Sequence, residues 1–240
     1  MMHVNTKAIV LSKVKYKDYD LIIKCYTEQF GIISFILKGV LKSKKRGTKV
    51  AYFQLLSQLS LVLQYKNNRS LQSIKEVKLE HHYSSLHSNV LKSAIVMFLS
   101  EVLSSTLQEE EHNQTLYSYM EATLLWLDEH SNYSNFHLLF LLNLTKYLGF
   151  YPDTSNIECG FFSLLDGSFV ATKTNKNCIS GDNLTLLKQL LGTTFDDLSL
   201  VKINSKQRQS FLNMILLYFE LHLGNFKRPK SLEIFNQVFN

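Results

Sequence analysis

Cysteine, proline and glycine are scarce in this 240-residue chain, and each shortage removes a class of protein. Cys25, Cys159 and Cys178 are odd in number and irregular in spacing, so they do not suggest a disulfide framework and fit a reducing compartment. A closed zinc site needs four N or S ligands, commonly as paired C-x-x-C motifs. Asn156 stands where a partner for Cys159 would be, and Cys178 opens no pair, so no metal or other cofactor is assigned. Two prolines and nine glycines leave little material for linkers or low-complexity segments, so two domains, if present, abut. No apolar run approaches the roughly 18 residues of a membrane span, and M-M-H-V-N-T-K opens no secretory leader. The expectation is a cytoplasmic protein with no membrane partner. Phosphate-binding and nucleophile-elbow motifs are missing too: there is no G-x-x-x-x-G-K-[ST], no G-x-G-x-x-G and no G-x-S-x-G. Nucleotide hydrolysis and hydrolase chemistry therefore have no carrier, no catalytic residue is assigned, and the chain does not read as an enzyme.

What is present is a sizeable core and an uneven charge. Hydrophobic residues make up 45% and aromatics 12%, enough for an ordered globular protein. Residues 1–80 carry 15 Lys/Arg and 5 Asp/Glu, a balance of +10, whereas residues 81–240 carry 11 and 15, a balance of −4. The positive field belongs to the first third of the chain and attracts polyanions, nucleic acid first and anionic membrane second. Its centre is residues 38–49, K-G-V-L-K-S-K-K-R-G-T-K, with six Lys/Arg and no acid. Such a stretch cannot bury itself, because each unpaired charge taken from water costs several kcal/mol.

The pattern of apolar residues divides the chain at about residue 80. Residues 8–16 end in alternation, with Lys13 and Lys15 on one face and Val14 and Tyr16 on the other, which reads as a strand with a basic outer face. Residues 17–20 read as a turn, residues 21–27 and 32–37 as further strands, and Gly31 as the turn between them. Leu59, Leu61, Leu63 and Tyr65 recur at every second position, and a polar hairpin signal at 66–70 leads into a fifth run over 71–80. Five short strands in so few residues predict a small closed or nearly closed barrel over residues 1–80; the OB type is the commonest such barrel that binds single strands, although five strands alone do not fix the topology.

Beyond residue 82 the apolar period lengthens to that of a helix. Helices are expected over 85–107, after the cap Asn113, over about 135–148, over 184–191, over 206–223 and over 232–239, with Gly149, Gly192 and Gly224 as stops. A short hairpin is expected around Asp166-Gly167. The fold class is therefore α+β: an all-β, OB-like five-stranded barrel at the N-terminal end, followed over 81–240 by a mainly α-helical domain. Glu109, Glu110 and Glu111 read as an exposed loop, and His81, His82 and His87 as surface or seam histidines rather than ligands.

Binding chemistry remains. Lys38, Lys42, Lys44, Lys45, Arg46 and Lys49 can neutralise phosphates, and Lys13, Lys15 and Lys17 extend that charge along the barrel wall. Tyr16, Tyr26, Phe35, Tyr52 and Phe53 are interleaved with them and offer π-faces on which bases stack, although strand aromatics are more often core. A second, smaller basic cluster, Lys227, Arg228 and Lys230, follows the last long helix.

In their order, several short segments resemble the RecO recombination mediators. They are A-I-V-L followed by Lys15-Tyr16, then Tyr26-Thr27-Glu28-Gln29-Phe30-Gly31, then a strand ending in Lys38-Gly39 and a basic loop. Further on, Leu148-Gly149-Phe150-Tyr151-Pro152-Asp153 is similar to that family's leucine-glycine segment with a following proline, and Cys159-Gly160 stands at the second half of its zinc-binding motif. The resemblance implies a bacterial protein of DNA repair and homologous recombination that is cytoplasmic and nucleoid-associated. It implies binding of single- and double-stranded DNA, annealing of complementary strands, and loading of the RecA recombinase together with RecR on DNA coated by single-strand-binding protein. The acidic C-terminal tail of single-strand-binding protein is then a partner of the helical domain, for which Lys227, Arg228 and Lys230 are candidates by charge. Only Cys159 of the family's four zinc cysteines is kept, so a degenerate, zinc-ribbon-like hairpin without metal is expected at about 156–180. The residues taken alone also allow a protein-interaction adaptor, whose basic loop meets an acidic partner, and an RNA-binding OB protein.

Overall fold

One long strand sets the shape of the N-terminal barrel in the computed structural model, which describes residues 2–42, 50–66, 68–107 and 112–239. That strand, β1 (Met2–Tyr16), begins well before the expected residue 8. Its first half pairs antiparallel with β4 (Gln58–Tyr65), from Met2 opposite Tyr65 to Ile9 opposite Gln58. Its second half pairs with β2 (Asp20–Thr27), from Ala8 opposite Thr27 to Tyr16 opposite Asp20, with the register shifting between Val10 and Ser12. Such an irregularity bends a strand and lets it pass from one neighbour to the other, as barrel closure requires. The sequence conceals the first half because Thr6, a polar residue, occupies a buried position between Val4 and Ala8.

β3 (Gly31–Leu37) follows β2 antiparallel, and β5 (Leu71–Leu79) pairs antiparallel with β4. A short parallel contact, Ser34 opposite Leu71 and Phe35 opposite Gln72, joins β3 to β5 and closes the order β1-β2-β3-β5-β4. This is the Greek-key barrel of the OB architecture. Its interior holds Val10, Ile23, Cys25, Phe35, Phe53, Leu59, Leu61 and Leu63, so the expected leucine alternation points inward. Gln72 staples the β4–β5 turn: its carbonyl accepts from the Lys66 N–H at 3.0 Å, and its amide donates to Lys66 O and Arg69 O.

The chain forms two compact units, one of Met1–Glu129 with Pro229–Ser231 and the other of His130–Arg228 with Leu232–Asn240. In the first unit α1 (Val90–Thr106) and α2 (Gln114–Glu129) accompany the barrel. Ser104 Oγ donates to Leu11 O at 3.3 Å, Lys7 Nζ meets Glu121 at 3.0 Å, and the Tyr26 hydroxyl exchanges hydrogen bonds with the backbone of Asn113. Asn113 also caps α2, accepting from the Leu116 N–H at 2.9 Å, as its position in the sequence predicts.

α1 starts five residues later than its apolar pattern suggests. The N–H groups of Ser84, Ser85 and Leu86 donate instead to the Asp128 carboxylate at 2.8, 2.8 and 2.7 Å, and Asn89 caps the helix that then begins. Burial opposes ionisation of Asp128, but the backbone donors and the Ser84 hydroxyl outweigh it and hold the carboxyl below the usual range. Buried Lys92 donates to Asp128 O and Ser85 Oγ, which completes this clasp.

The second unit is built on α3 (Phe136–Tyr147) and α5 (Ser205–His222), with α6 (Leu232–Val238) packed on α3 through Phe235 and His137 and α4 (Asp182–Leu190) beside a small sheet. The sheet has the order β7-β6-β8, with β6 (Phe161–Ser163), β7 (Ser168–Val170) and β8 (Cys178–Ile179). The expected hairpin is thus present and gains a third strand. Phe162 and Phe169 meet edge to face at 4.9 Å, and Phe162 continues to Tyr218 of α5 at 5.9 Å. Gly167 turns the hairpin at φ +66°, where an added Cβ would lie 2.7 Å from the Tyr218 hydroxyl, so two separate constraints demand glycine there. Ser163 Oγ donates to Asp166 at 2.6 Å and accepts from Asn175 at 3.1 Å, which ties the turn to the third strand. Cys25 is buried, while Cys159 and Cys178 are half-buried free thiols.

Candidate nucleic-acid interface

Three strands end together at one rim of the barrel, and most of the described lysines singled out in the first 80 residues sit there. Register runs Lys15 opposite Leu21 and Leu21 opposite Leu37, so the next residues outward are Tyr16, Asp20 and Lys38. Lys13, Lys15, Lys17, Lys38 and Lys42 are all exposed. The β1–β2 turn and the segment leaving β3 are fastened to each other. Gly39 N–H donates to Asp20 Oδ1 at 2.7 Å, and Leu41 N–H donates to Tyr19 O at 3.1 Å. Lys38 and Lys42 are thereby carried to the tip of the hairpin that bears Lys15 and Lys17. Lys44, Lys45, Arg46 and Lys49 lie outside the described residues. Two acids, Asp18 and Asp20, are the counter-charges in this turn, and Asp20 is already engaged by Gly39.

Electrostatics at such a rim favours a polyanion without demanding sequence, because ammonium groups act as point charges on phosphates. The wall itself differs from the sequence reading. Val14 and Tyr16 are not turned inward opposite the lysines; both are exposed, because the end of β1 projects past the packed interior and has solvent on its two faces. Of the aromatics read as stacking surfaces, Tyr26, Phe35 and Phe53 are buried and face no ligand, and Tyr52 packs partly buried against the barrel core. Tyr19 escaped notice because it stands in what reads as a turn. An aromatic in a turn between two strands is a signal the pattern of alternation does not score.

The other basic cluster carries its own counter-charge. Lys227, Arg228 and Lys230 are exposed, yet Arg228 clamps Glu220 with two hydrogen bonds of 2.6 and 3.2 Å, and the resulting pair holds its guanidinium pKa up. Lys230 groups with the first unit and the other two with the second.

Groups with strongly displaced pKa values serve packing. Burial pushes the Cys25 thiol and the Tyr117 hydroxyl up, and burial, aided by Arg208, pushes His137 down to about 3. His137 packs edge-on against Phe235 at 4.8 Å. His87 Nε2 lies 2.8 Å from Leu55 O, which accounts for one of the three histidines noted in the sequence. Among the described residues no group of three or more His, Cys, Asp or Glu side chains is arranged to hold a metal. A depression of about 460 Å³ in the first unit is lined by Glu28, Gln29, His112 and Gln114, four polar side chains that show no nucleophile–base pair. No described helix is long and apolar enough to cross a membrane.

Comparison with known proteins covers the barrel and the helical part that follows it. The model of the recombination protein O N-terminal domain matches residues 1–83, and that of the recombination protein O C-terminal domain matches residues 87–233. A DNA repair protein RecO of Christiangramia forsetii is 46% identical over 238 residues, spanning 99% of this chain and 100% of the relative. The corresponding protein of Flavobacterium psychrophilum is 41% identical over 239 residues, covering 100% of both chains, and that of Bacteroides fragilis is 34% identical over 98% of both.

Proposed function

We start from the premise that this chain belongs to the RecO family of DNA repair proteins, and propose that it is a non-enzymatic mediator that binds single- and double-stranded DNA and anneals complementary strands. The observation that carries the reading is the rim itself: exposed lysines of β1 and of the segment after β3, fastened together at one end of an OB-type barrel. Annealing needs no bond-making residue. Two strands repel through their phosphates, and a cationic surface that screens this repulsion while leaving base edges uncovered lets pairing proceed.

In this reading Lys13, Lys15, Lys38 and Lys42 contact phosphate together with Lys44, Lys45, Arg46 and Lys49. The barrel of residues 1–80 is the DNA-binding part. The helical part, residues 81–240, with its negative balance, supplies the surfaces for RecR and for single-strand-binding protein, and the protein acts in the bacterial cytoplasm on nucleoid DNA during RecA loading. Lys227, Arg228 and Lys230 are assigned to a partner or to secondary DNA contact. Of these Arg228 is already paired with Glu220.

The test is the salt dependence of DNA affinity. Replacing Lys42, Lys44, Lys45 and Arg46 together by Ala lowers the slope of log K against log salt by up to about 3.6 on duplex, at about 0.9 per phosphate. An unchanged slope and affinity remove the loop from the DNA site. A strand-annealing assay on DNA coated with single-strand-binding protein tests the activity, and retention of an acidic protein with only weak oligonucleotide binding points to the adaptor reading.

A further inference from the structure

Tyr16 and Tyr19 are unlike every other aromatic described in this protein. They alone among the described residues are exposed, at 39% and 48%, while the remaining Phe, Tyr and Trp rings are buried or half-buried. They stand on either side of one turn, where Lys17 adopts φ +52°, and the backbone of Tyr19 is held by the Leu41 N–H. Exposed Val14 and Leu41 flank them. Each ring carries an ammonium: Lys17 Nζ lies 5.4 Å from the Tyr16 centroid, and Lys42 Nζ lies 5.8 Å from that of Tyr19.

Exposed aromatic rings, each with an ammonium beside it, suit a ligand that alternates flat, apolar faces with negative charges. Single-stranded DNA is such a ligand, whereas a duplex offers the same phosphates with its bases already stacked on one another. We infer that Tyr16 and Tyr19 form a stacking pair that takes nucleobases of single-stranded DNA at the tip of the β1–β2 hairpin. The inference rests on the DNA-binding reading above and gives it a preference for unpaired strands. Relative magnitudes allow the exchange. An exposed cation–π contact is worth about a twofold to fivefold factor, while a base stacked on an aromatic ring is worth about fivefold to 150-fold. An arriving base therefore displaces the ammonium, and Lys17 and Lys42 move off the rings onto adjacent phosphates.

The experiment compares oligothymidine, an abasic oligonucleotide of equal length and a blunt duplex, using the full chain and its Tyr16→Ala/Tyr19→Ala double variant. The expected result is a fall of tenfold or more in the preference for oligothymidine over duplex, with the salt slope retained, because stacking releases no counterions. The abasic strand should show no such dependence on the tyrosines. Tyr16→Phe/Tyr19→Phe should rescue the loss, since a ring without its hydroxyl still stacks, and this also separates stacking from any disturbance of the turn. If wild type binds oligothymidine but the Ala variant binds it equally well, the stacking pair is overturned while DNA binding stands. If wild type binds no oligonucleotide, the DNA-binding reading falls first. Loss of binding to anionic phospholipid vesicles instead of oligothymidine would make the tip a membrane contact and overturn the inference.

Discussion

The protein has two hairpins that use the same ingredients for opposite ends. The β1–β2 hairpin and the β6–β7 hairpin each place two aromatic residues about a turn with a left-handed residue, Lys17 in the first and Gly167 in the second. In β6–β7 the rings, Phe162 and Phe169, are buried against each other, and Phe162 also meets Tyr218, so the hairpin is part of a core. In β1–β2 the rings stand in solvent among lysines. The difference lies in what each turn meets: Gly167 lies against a helix side chain and has no room for a Cβ, whereas among the described residues the β1–β2 turn meets the segment leaving β3, through the Gly39 and Leu41 N–H groups and the Lys42 ammonium. Aromatic residues in a hairpin thus stabilise the fold in one place and remain available for binding in the other.

Substitutions can break this contrast, beginning with the most damaging. Phe162→Ala is expected to cost about 3–5 kcal/mol of folding stability, measured by chemical denaturation, because a buried ring leaves a cavity. Gly167→Ala should cost about 2 kcal/mol or more, since it adds a strained φ to a clash with the Tyr218 hydroxyl. Asp128→Asn serves as a calibration between the two extremes, with an expected loss of about 1.5–3 kcal/mol from the backbone N–H groups of 84–86. Its sign with pH is fixed. The native carboxyl titrates below its unfolded value, so the stabilisation is present above about pH 4 and disappears as pH falls through the depressed pKa. A thermal-melt series in acid should show the wild-type advantage over Asp128→Asn shrinking in that window.

The exposed hairpin should respond weakly and in the other direction. Lys17→Gly removes a non-glycine residue from a left-handed turn and is expected to raise stability by about 0.5–1 kcal/mol. Tyr19→Ala should change stability by less than about 0.5 kcal/mol, as an exposed residue outside the core does. A loss of several kcal/mol at Tyr19 would mean that its ring is structural and would dissolve the contrast between the hairpins.

Legibility in the sequence followed the strength of local patterns. The leucines at 59, 61 and 63, the caps at Asn113 and Gly149, and the turn at Gly167 were readable because each is a local periodicity or a local backbone requirement. The first six residues of β1 were not, since their strand character comes from pairing with β4, more than fifty positions away. The late start of α1 was hidden for a similar reason, because the acceptor that holds Ser84–Leu86 out of the helix is Asp128, at the far end of α2. For the candidate site, the lysines were legible as charges, but which aromatics are covered was not: Phe35 and Phe53 lie within the barrel, Tyr26 packs outside it against Tyr117 and Asn113, and Tyr16 and Tyr19 lie on its rim.

By itself the sequence determined where charge is concentrated and which segments alternate with period two or about 3.6. Those are properties of composition and of neighbours along the chain. Tertiary structure decided that the ends of β1, β2 and β3 meet, that Lys38 and Lys42 join the hairpin of Lys15 and Lys17, and that two aromatic rings among the described residues are left to solvent. A side chain's exposure depends on what packs over it, and at the barrel rim that is set by strand register and by two hydrogen bonds, from Gly39 N–H to the Asp20 carboxylate and from Leu41 N–H to Tyr19 O, which no local pattern encodes.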